Sequence, residues 1–110
     1  MESCIFCKIA SGVFNTSFIY HDDQVVAFSD INPQAPVHVL IIPKAHIPSI
    51  RDLTDEALPG RLFKAAREIV KKLDLQDFRL VMNTGEKAGQ SVFHLHIHLL
   101  GGRPMSWPPG

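Results

Sequence analysis

Residues 94–100 read His-Leu-His-Ile-His-Leu-Leu, and this alternation constrains the fold more than any other stretch of the chain. A β-strand has a side-chain period of two, so His94, His96 and His98 share one face while Leu95, Ile97 and Leu99 take the other. The aliphatic face needs a core to lie on. The imidazole face has to be solvated, bound to a metal or engaged in chemistry. One lone histidine there would be read as an ordinary hydrogen-bonded residue, whereas three in strict alternation point to function.

The rest of the chain supplies a core for such a strand. Ser3 is placed to cap a short helix, CIFCKIAS, which Gly12 ends, and Cys4 and Cys7 at i, i+3 lie on one side of it. SFIYH (17–21) and VVAFSD (25–30) read as two strands joined by Asp22 and Asp23. Pro33 and Pro36 make INPQAP a loop, and Val37–Pro43 (VHVLIIP) is a third strand with His38 near its start. Leu58, Leu62, Ala66, Ile69, Val70 and Leu73 form a helical stripe with lysines and arginines opposite. With Pro59 in its first turn, this helix is expected to start near Glu56. FRLVMNT (78–84) and VFHLHIHLL (92–100) are the fourth and fifth strands, linked by GEKAGQS (85–91). Strands on either side of one substantial helix predict an α+β fold: a five-stranded antiparallel sheet, one long helix and a short N-terminal helix. The tail PMSWPPG is irregular and carries the only Trp, Trp107, expected at an interface or substrate rim rather than in the core.

At 110 residues and 45% hydrophobic, the chain is expected to form one domain over 1–110. Lys plus Arg and Asp plus Glu balance at 11 each, so no global field favours a nucleic acid polymer or an anionic membrane, and any phosphate site must be local. No apolar run of membrane-spanning length and no charged-then-apolar leader is visible, which predicts a cytoplasmic protein. In that reducing compartment, two cysteines three residues apart argue for metal or redox use over a structural disulfide.

Three constellations carry chemistry. In GEKAGQS, Gly85 and Gly89 allow sharp turns that expose amide N–H groups, and with the Ser91 hydroxyl these form an anion site beside the histidines. A neutral imidazole is a competent nucleophile at phosphorus, and His96, flanked by two others on its face, is the natural choice. The second constellation is the Cys4-x2-Cys7 pair, which supplies two thiolates to a tetrahedral zinc. His46 and His94 are candidate third and fourth ligands, and spacing leaves His38 open as well. A thioredoxin-type redox pair lacks its βαβ context here, and plain buried thiols are the blander alternative. The third is an apolar pocket of Ile5, Phe6, Ile9, Phe28 and Ile31 around Asp30, whose carboxylate suits the two hydroxyls of a ribose.

Taken together, HLHIHLL resembles the His-φ-His-φ-His-φ-φ motif of the histidine triad superfamily of nucleotide hydrolases and transferases. DINPQAPVHVLIIPKAHI, NTGEKAGQSVFHLHIHLLGGR and the ending WPPG are similar to its Hint branch, and the likeness runs over nearly the whole chain. The resemblance implies an α+β homodimer whose two sheets join into one. It also implies hydrolysis of purine nucleoside 5′-phosphoramidates through a nucleotidyl-histidine intermediate. By position it makes His96 the nucleophile, puts His98 and His38 on the α-phosphate, and places Asn83, Gly89 and Ser91 around phosphate and leaving group. Asp30 would bind the ribose, and Phe6, Phe28 and Ile31 would line the base pocket. Many Hint proteins lack paired cysteines, whereas several bacterial triad proteins and the galactose-1-phosphate uridylyltransferases hold zinc on two cysteines and two histidines. That likeness implies a structural zinc on Cys4, Cys7, His46 and His94, and no cofactor for the chemistry itself.

Two readings compete with the phosphoramidase. One is a dinucleoside polyphosphate hydrolase of the Fhit type, against which Ser91 and the WPPG ending count. The other is a zinc-stapled nucleotide-binding interaction module with little catalysis, against which intact His96 and Ser91 count.

Overall fold

The computed structural model describes residues 3–110, with the elements α1 (Ile5–Ala10), β1 (Tyr20–His21), β2 (Val25–Ser29), β3 (Val37–Pro43), α2 (Leu58–Lys72), β4 (Phe78–Val81) and β5 (Ile97–Gly101). The strands form one five-stranded sheet in the order β1-β2-β3-β5-β4, with every neighbouring pair antiparallel. The α+β architecture with one long helix and a short N-terminal one is therefore the one expected. Among the described residues, no helix is long and apolar enough to cross a membrane.

The central strands are covered on both faces, which is why VVAF and VLIIP read as continuous apolar runs rather than alternating ones. One face carries Val25, Ala27, Val39, Ile41, Leu95, Ile97 and Leu99 against Leu58, Leu62, Ala65, Ala66 and Ile69 of α2. The other face packs Val26, Phe28, Leu40 and Ile42 against Phe6 of α1. Leu95, Ile97 and Leu99 thus lie on the α2 core, as the alternation requires.

The structure corrects several boundaries. The fifth strand does not run from Val92: its ladder starts at Ile97, paired with Ile41. Continuing that register would bring His96 opposite Ile42 and then Leu95 opposite Pro43, which has no N–H to give. Leu95 N–H turns instead to the carbonyl of Ile47, 2.6 Å away. Only His98 of the three histidines is therefore in the regular strand, while His94 and His96 occupy the segment leading into it. β1 keeps two of its five expected residues and β4 ends at Val81 instead of Thr84.

Helix α2 begins at Leu58 rather than Glu56, with Ala57 as N-cap and Pro59 in the first turn, and Leu73 falls at its C-cap, 38% exposed. The cap of α1 is Cys4, not Ser3: its Sγ accepts the Cys7 N–H at 3.4 Å. Gly12 does follow the helix end, at φ +87, the left-handed conformation that favours glycine. Trp107 is 82% exposed, so it is not core; Arg79 Nη2 holds the tail beside it by donating to the Ser106 carbonyl.

Candidate functional site

The site grows from the face of the sheet under α1. Phe28 pairs with Leu40 and Leu40 with His98, so these three form one row across β2, β3 and β5. Two strand spacings, about 10 Å, separate the aromatic end of that row from the imidazole end. Over this row lies a cavity of about 400 Å³ whose apolar wall includes Ile5, Phe6, Ile9 and Phe28, and whose far wall includes His96, His98 and Ser91. Asp30 lines it between the two ends of the chain's pocket, and Ile31 stands fully exposed at the rim. A wider cleft of about 710 Å³ at the β4 edge, between residues 74–79 and 102–105, holds no histidine or cysteine.

Backbone contacts decide where each imidazole carries its proton. His96 Nδ1 is 2.7 Å from the carbonyl oxygen of His94; a carbonyl only accepts, so Nδ1 bears the hydrogen and the Nε2 lone pair is left free. His96 is 6% exposed, its ring edge-on to Phe6 at 5.0 Å, and burial pushes its pKa down, which keeps that lone pair unprotonated. His38 Nδ1 accepts the Gln34 N–H at 3.0 Å, so neutral His38 is protonated on Nε2 and donates to His98 Nδ1 at 2.9 Å. His98 must then carry its own hydrogen on Nε2. Burial, followed by the neighbouring His96 and His38, brings the His98 pKa down to about 4. His38 stands behind His98 rather than in the cavity wall, with its Nε2 3.5 Å from Asp30 Oδ2. Asp30, His38 and His98 cluster closely enough to suggest a metal site. The Gln34 contact makes them a hydrogen-bond chain instead, because it leaves the proton on the His38 nitrogen that a cation would need.

Beside this cavity Cys4, Cys7, His46 and His94 converge, their ligand atoms all within 4.8 Å of one another. Sγ of Cys4 and of Cys7 lie 3.4 and 3.5 Å from His94 Nδ1, and Cys7 Sγ lies 3.3 Å from His46 Nδ1. Tetrahedral zinc with ordinary Zn–S and Zn–N bonds has S···N edges of about 3.6 Å, so the donor set fits that ion. His94 Nε2 donates to the Pro43 carbonyl at 2.7 Å, which turns the Nδ1 lone pair toward the sulfurs. Both cysteines are free thiols. Burial, then the hydrogen bond and charge of Cys4, push the Cys7 thiol up, a cost that a bound cation would reverse. His46 rather than His38 is brought to the thiols, which resolves the choice that spacing left open.

Of the residues expected around the phosphate, Ser91 lines the cavity, whereas Asn83 and Gly89 stand together outside its wall. Gly89 has φ +101, which favours glycine for the turn, while a Cβ there would meet Asn83 Nδ2 only at an ordinary contact distance of 3.4 Å. Asp30 is partly committed: its Oδ1 accepts the Asn32 N–H at 2.8 Å. Four contributors carried no sequence signal: the backbone groups of Gln34 and Pro43, the half-buried Thr16 in the cavity wall, and the buried Gln90. Nothing in a single sequence marks a loop glutamine as buried or a carbonyl as aimed at a ring.

A small α+β sheet protein with an imidazole wall facing an apolar slot defines the histidine-triad class. The match to known families agrees: residues 11–105 fit the HIT domain model, and the chain belongs to the HIT family. It is 52% identical over 112 residues to an uncharacterized HIT-like protein of Synechocystis, covering 99% of this chain and 98% of that one. Protein HitA of Neisseria gonorrhoeae is 45% identical, with 92% and 97% covered. Among solved structures, a HIT family hydrolase from Legionella pneumophila superposes with a TM-score of 0.92 at 45% identity, over 98% of this chain and all of that one. A histidine triad protein from Clostridium difficile gives 0.92 at 38% identity, with 96% of each chain covered.

Proposed function

We propose that this protein is a hydrolase of purine nucleoside 5′-phosphoramidates, acting through a nucleotide bonded covalently to His96. The observation that carries this reading is the His94 carbonyl on His96 Nδ1, which leaves a neutral imidazole with its Nε2 lone pair free in a cavity sized for a nucleotide. The base would lie against the apolar wall that Phe6 and Phe28 form together, with Ile31 at the rim, the ribose by Asp30, and the α-phosphate at the His98 end of the row. His96 Nε2 attacks phosphorus and forms the N–P bond; the P–N bond to the amine breaks, and the amine leaves with that electron pair and takes a proton from the Ser91 hydroxyl, which solvent restores. Water then displaces His96 and releases the nucleoside monophosphate. His98, whose Nδ1 accepts from His38, presents Nε2–H to a phosphate oxygen and strengthens that contact as charge builds. Asn83 and Gly89 would shape the loop on the leaving-group side.

Zinc belongs to the same reading as a structural group on Cys4, Cys7, His46 and His94. Four protein donors leave it no open position, so when bound it supplies a crosslink between α1 and the segment carrying the triad, not a catalytic water. We also read the chain as a cytoplasmic homodimer without nucleic acid polymer or membrane partners. β4 has a neighbour on one side only, and Phe78 at its start is exposed, which supports two-fold pairing along that edge.

The test is incubation with adenosine phosphoramidate followed by a rapid quench: a phosphoramidase of this kind yields free AMP and a nucleotidylated peptide containing His96. Faster turnover of a dinucleoside polyphosphate in direct competition would favour the Fhit-type hydrolase. Nucleotide binding with no product release would favour the interaction module.

A further inference from the structure

Gln90 is polar, 3% exposed, and has both amide hydrogens and its amide oxygen engaged in hydrogen bonds. Its Oε1 accepts the Gly85 N–H at 2.9 Å, and its Nε2 donates to the Pro48 carbonyl at 2.7 Å and the Val92 carbonyl at 3.1 Å. Its own backbone N–H returns to the Gly85 carbonyl at 3.1 Å, so residues 85 and 90 are clamped by a reciprocal pair. The bond to Val92 has a particular consequence. It runs from residue 90 to residue 92 and closes a ring around Ser91, fixing the backbone on both sides of it. Ser91 is exposed, and among the described residues its hydroxyl makes no intramolecular hydrogen bond, so its direction comes from that backbone alone. Ser91 also divides two spaces of about 400 Å³ each: the nucleotide cavity and a neighbouring one lined by Ile5, His46, Val92 and Phe93.

We propose that Gln90 is a positioning residue of this site, a buried amide strut that aims the Ser91 hydroxyl at the departing amine. The strut spans the loop at 85–92 and the turn after His46, so the hydroxyl is held relative to the whole triad segment and not to its own loop only. This inference rests on the phosphoramidase reading. Stability alone accounts for an engaged buried amide; what points to positioning is that its bond to the Val92 carbonyl spans Ser91, the exposed serine in the cavity wall.

A double-mutant cycle on the full-length protein tests it, reading kcat and KM on adenosine phosphoramidate for wild type, Gln90→Met, Ser91→Ala and the pair. Gln90→Met is expected to lower kcat by about 10- to 100-fold in wild type but less than about threefold in the Ser91→Ala background, because residues acting as a unit are not additive. AMP affinity should stay within about threefold throughout, since AMP has no leaving amine. Equal losses in both backgrounds would make Gln90 merely structural and overturn the proposal, as would a Gln90→Met or a Ser91→Ala enzyme with normal kcat. Should Gln90→Met not fold, Gln90→Glu takes its place in the same cycle: it keeps the acceptor for Gly85 and sets a carboxylate oxygen against the Pro48 and Val92 carbonyls. Wild type that leaves the phosphoramidate intact would refute the function itself, and the positioning role with it.

Discussion

The carbonyl oxygen of His94 lies 2.7 Å from Nδ1 of His96, and this one contact joins the two centres of the protein. The ring of His94 points to the thiols while its backbone fixes the tautomer of the residue two places on. Any displacement of His94 therefore reaches the free nitrogen of His96.

Replacing His96 by Gly or Asn removes the nucleophile and spares the apolar slot. Hydrolysis is expected to fall by several orders of magnitude while AMP binding stays within about tenfold. Near-normal turnover by either variant would move the nucleophile elsewhere.

The Cys-His cluster predicts about one zinc per chain in protein purified without chelators. Cys4→Ser or His46→Ala should lower both metal content and melting temperature, with a smaller loss of turnover, since the metal ties α1 down without touching the substrate. Metal analysis showing no zinc would sink this, and a Cys4–Cys7 disulfide would indicate redox use.

Asp30 is best tested with Asn, because the bond from Asn32 N–H to Oδ1 shows that the side chain also holds its own turn. Asp30→Asn keeps an acceptor there and loses the charge. Ribonucleotide binding should weaken relative to a 2′,3′-dideoxynucleotide by about 1 to 3 kcal/mol, the cost of losing a charged hydrogen-bond partner. Equal weakening of both ligands would mean that Asp30 supports the loop and does not read the ribose.

The pKa of His98, about 4, sets the sign of a pH effect. An unfolded histidine takes up its proton near pH 6.5, whereas folded His98 refuses it until about pH 4, so below pH 6.5 the unfolded chain binds more protons. This contribution to stability is complete above pH 6.5 and is lost as the pH falls toward 4. Urea midpoints should therefore drop more steeply across that range for wild type than for His98→Asn. Parallel curves would show that His98 titrates normally.

Pairing through β4 predicts light scattering at about twice the chain mass at micromolar concentration, where a substantial apolar interface remains closed. A monomer there, or a dimer untouched by a charge substitution at Phe78, would refute that edge as the interface.

The sequence alone determined whatever depends on local period and turn chemistry. Val37–Pro43 is a strand to the residue because its apolar run is bounded by prolines, and the α2 stripe is legible because Leu58, Leu62, Ala66 and Ile69 recur at helical spacing. Side-chain identity also named the triad, the thiols and Asp30, since few residue types can attack phosphorus or bind zinc. What lay out of reach was set by contacts that side-chain patterning does not record, some between distant parts of the chain and some with nearby backbone. The fifth strand begins at Ile97 and not earlier because its register would set Leu95 opposite Pro43, 52 residues before it, and no pattern within 92–100 records that. His46 rather than His38 meets the cysteines, Gln34 sets the tautomer of His38, and Gln90 is buried, all because folding brings backbone donors and carbonyls to particular rings and amides. A hydrogen bond from a ring to the backbone leaves no periodicity behind, whether the partner is 51 residues away, as for His94 and Pro43, or two, as for His96 and His94, so only the folded structure shows which nitrogen of each histidine is free.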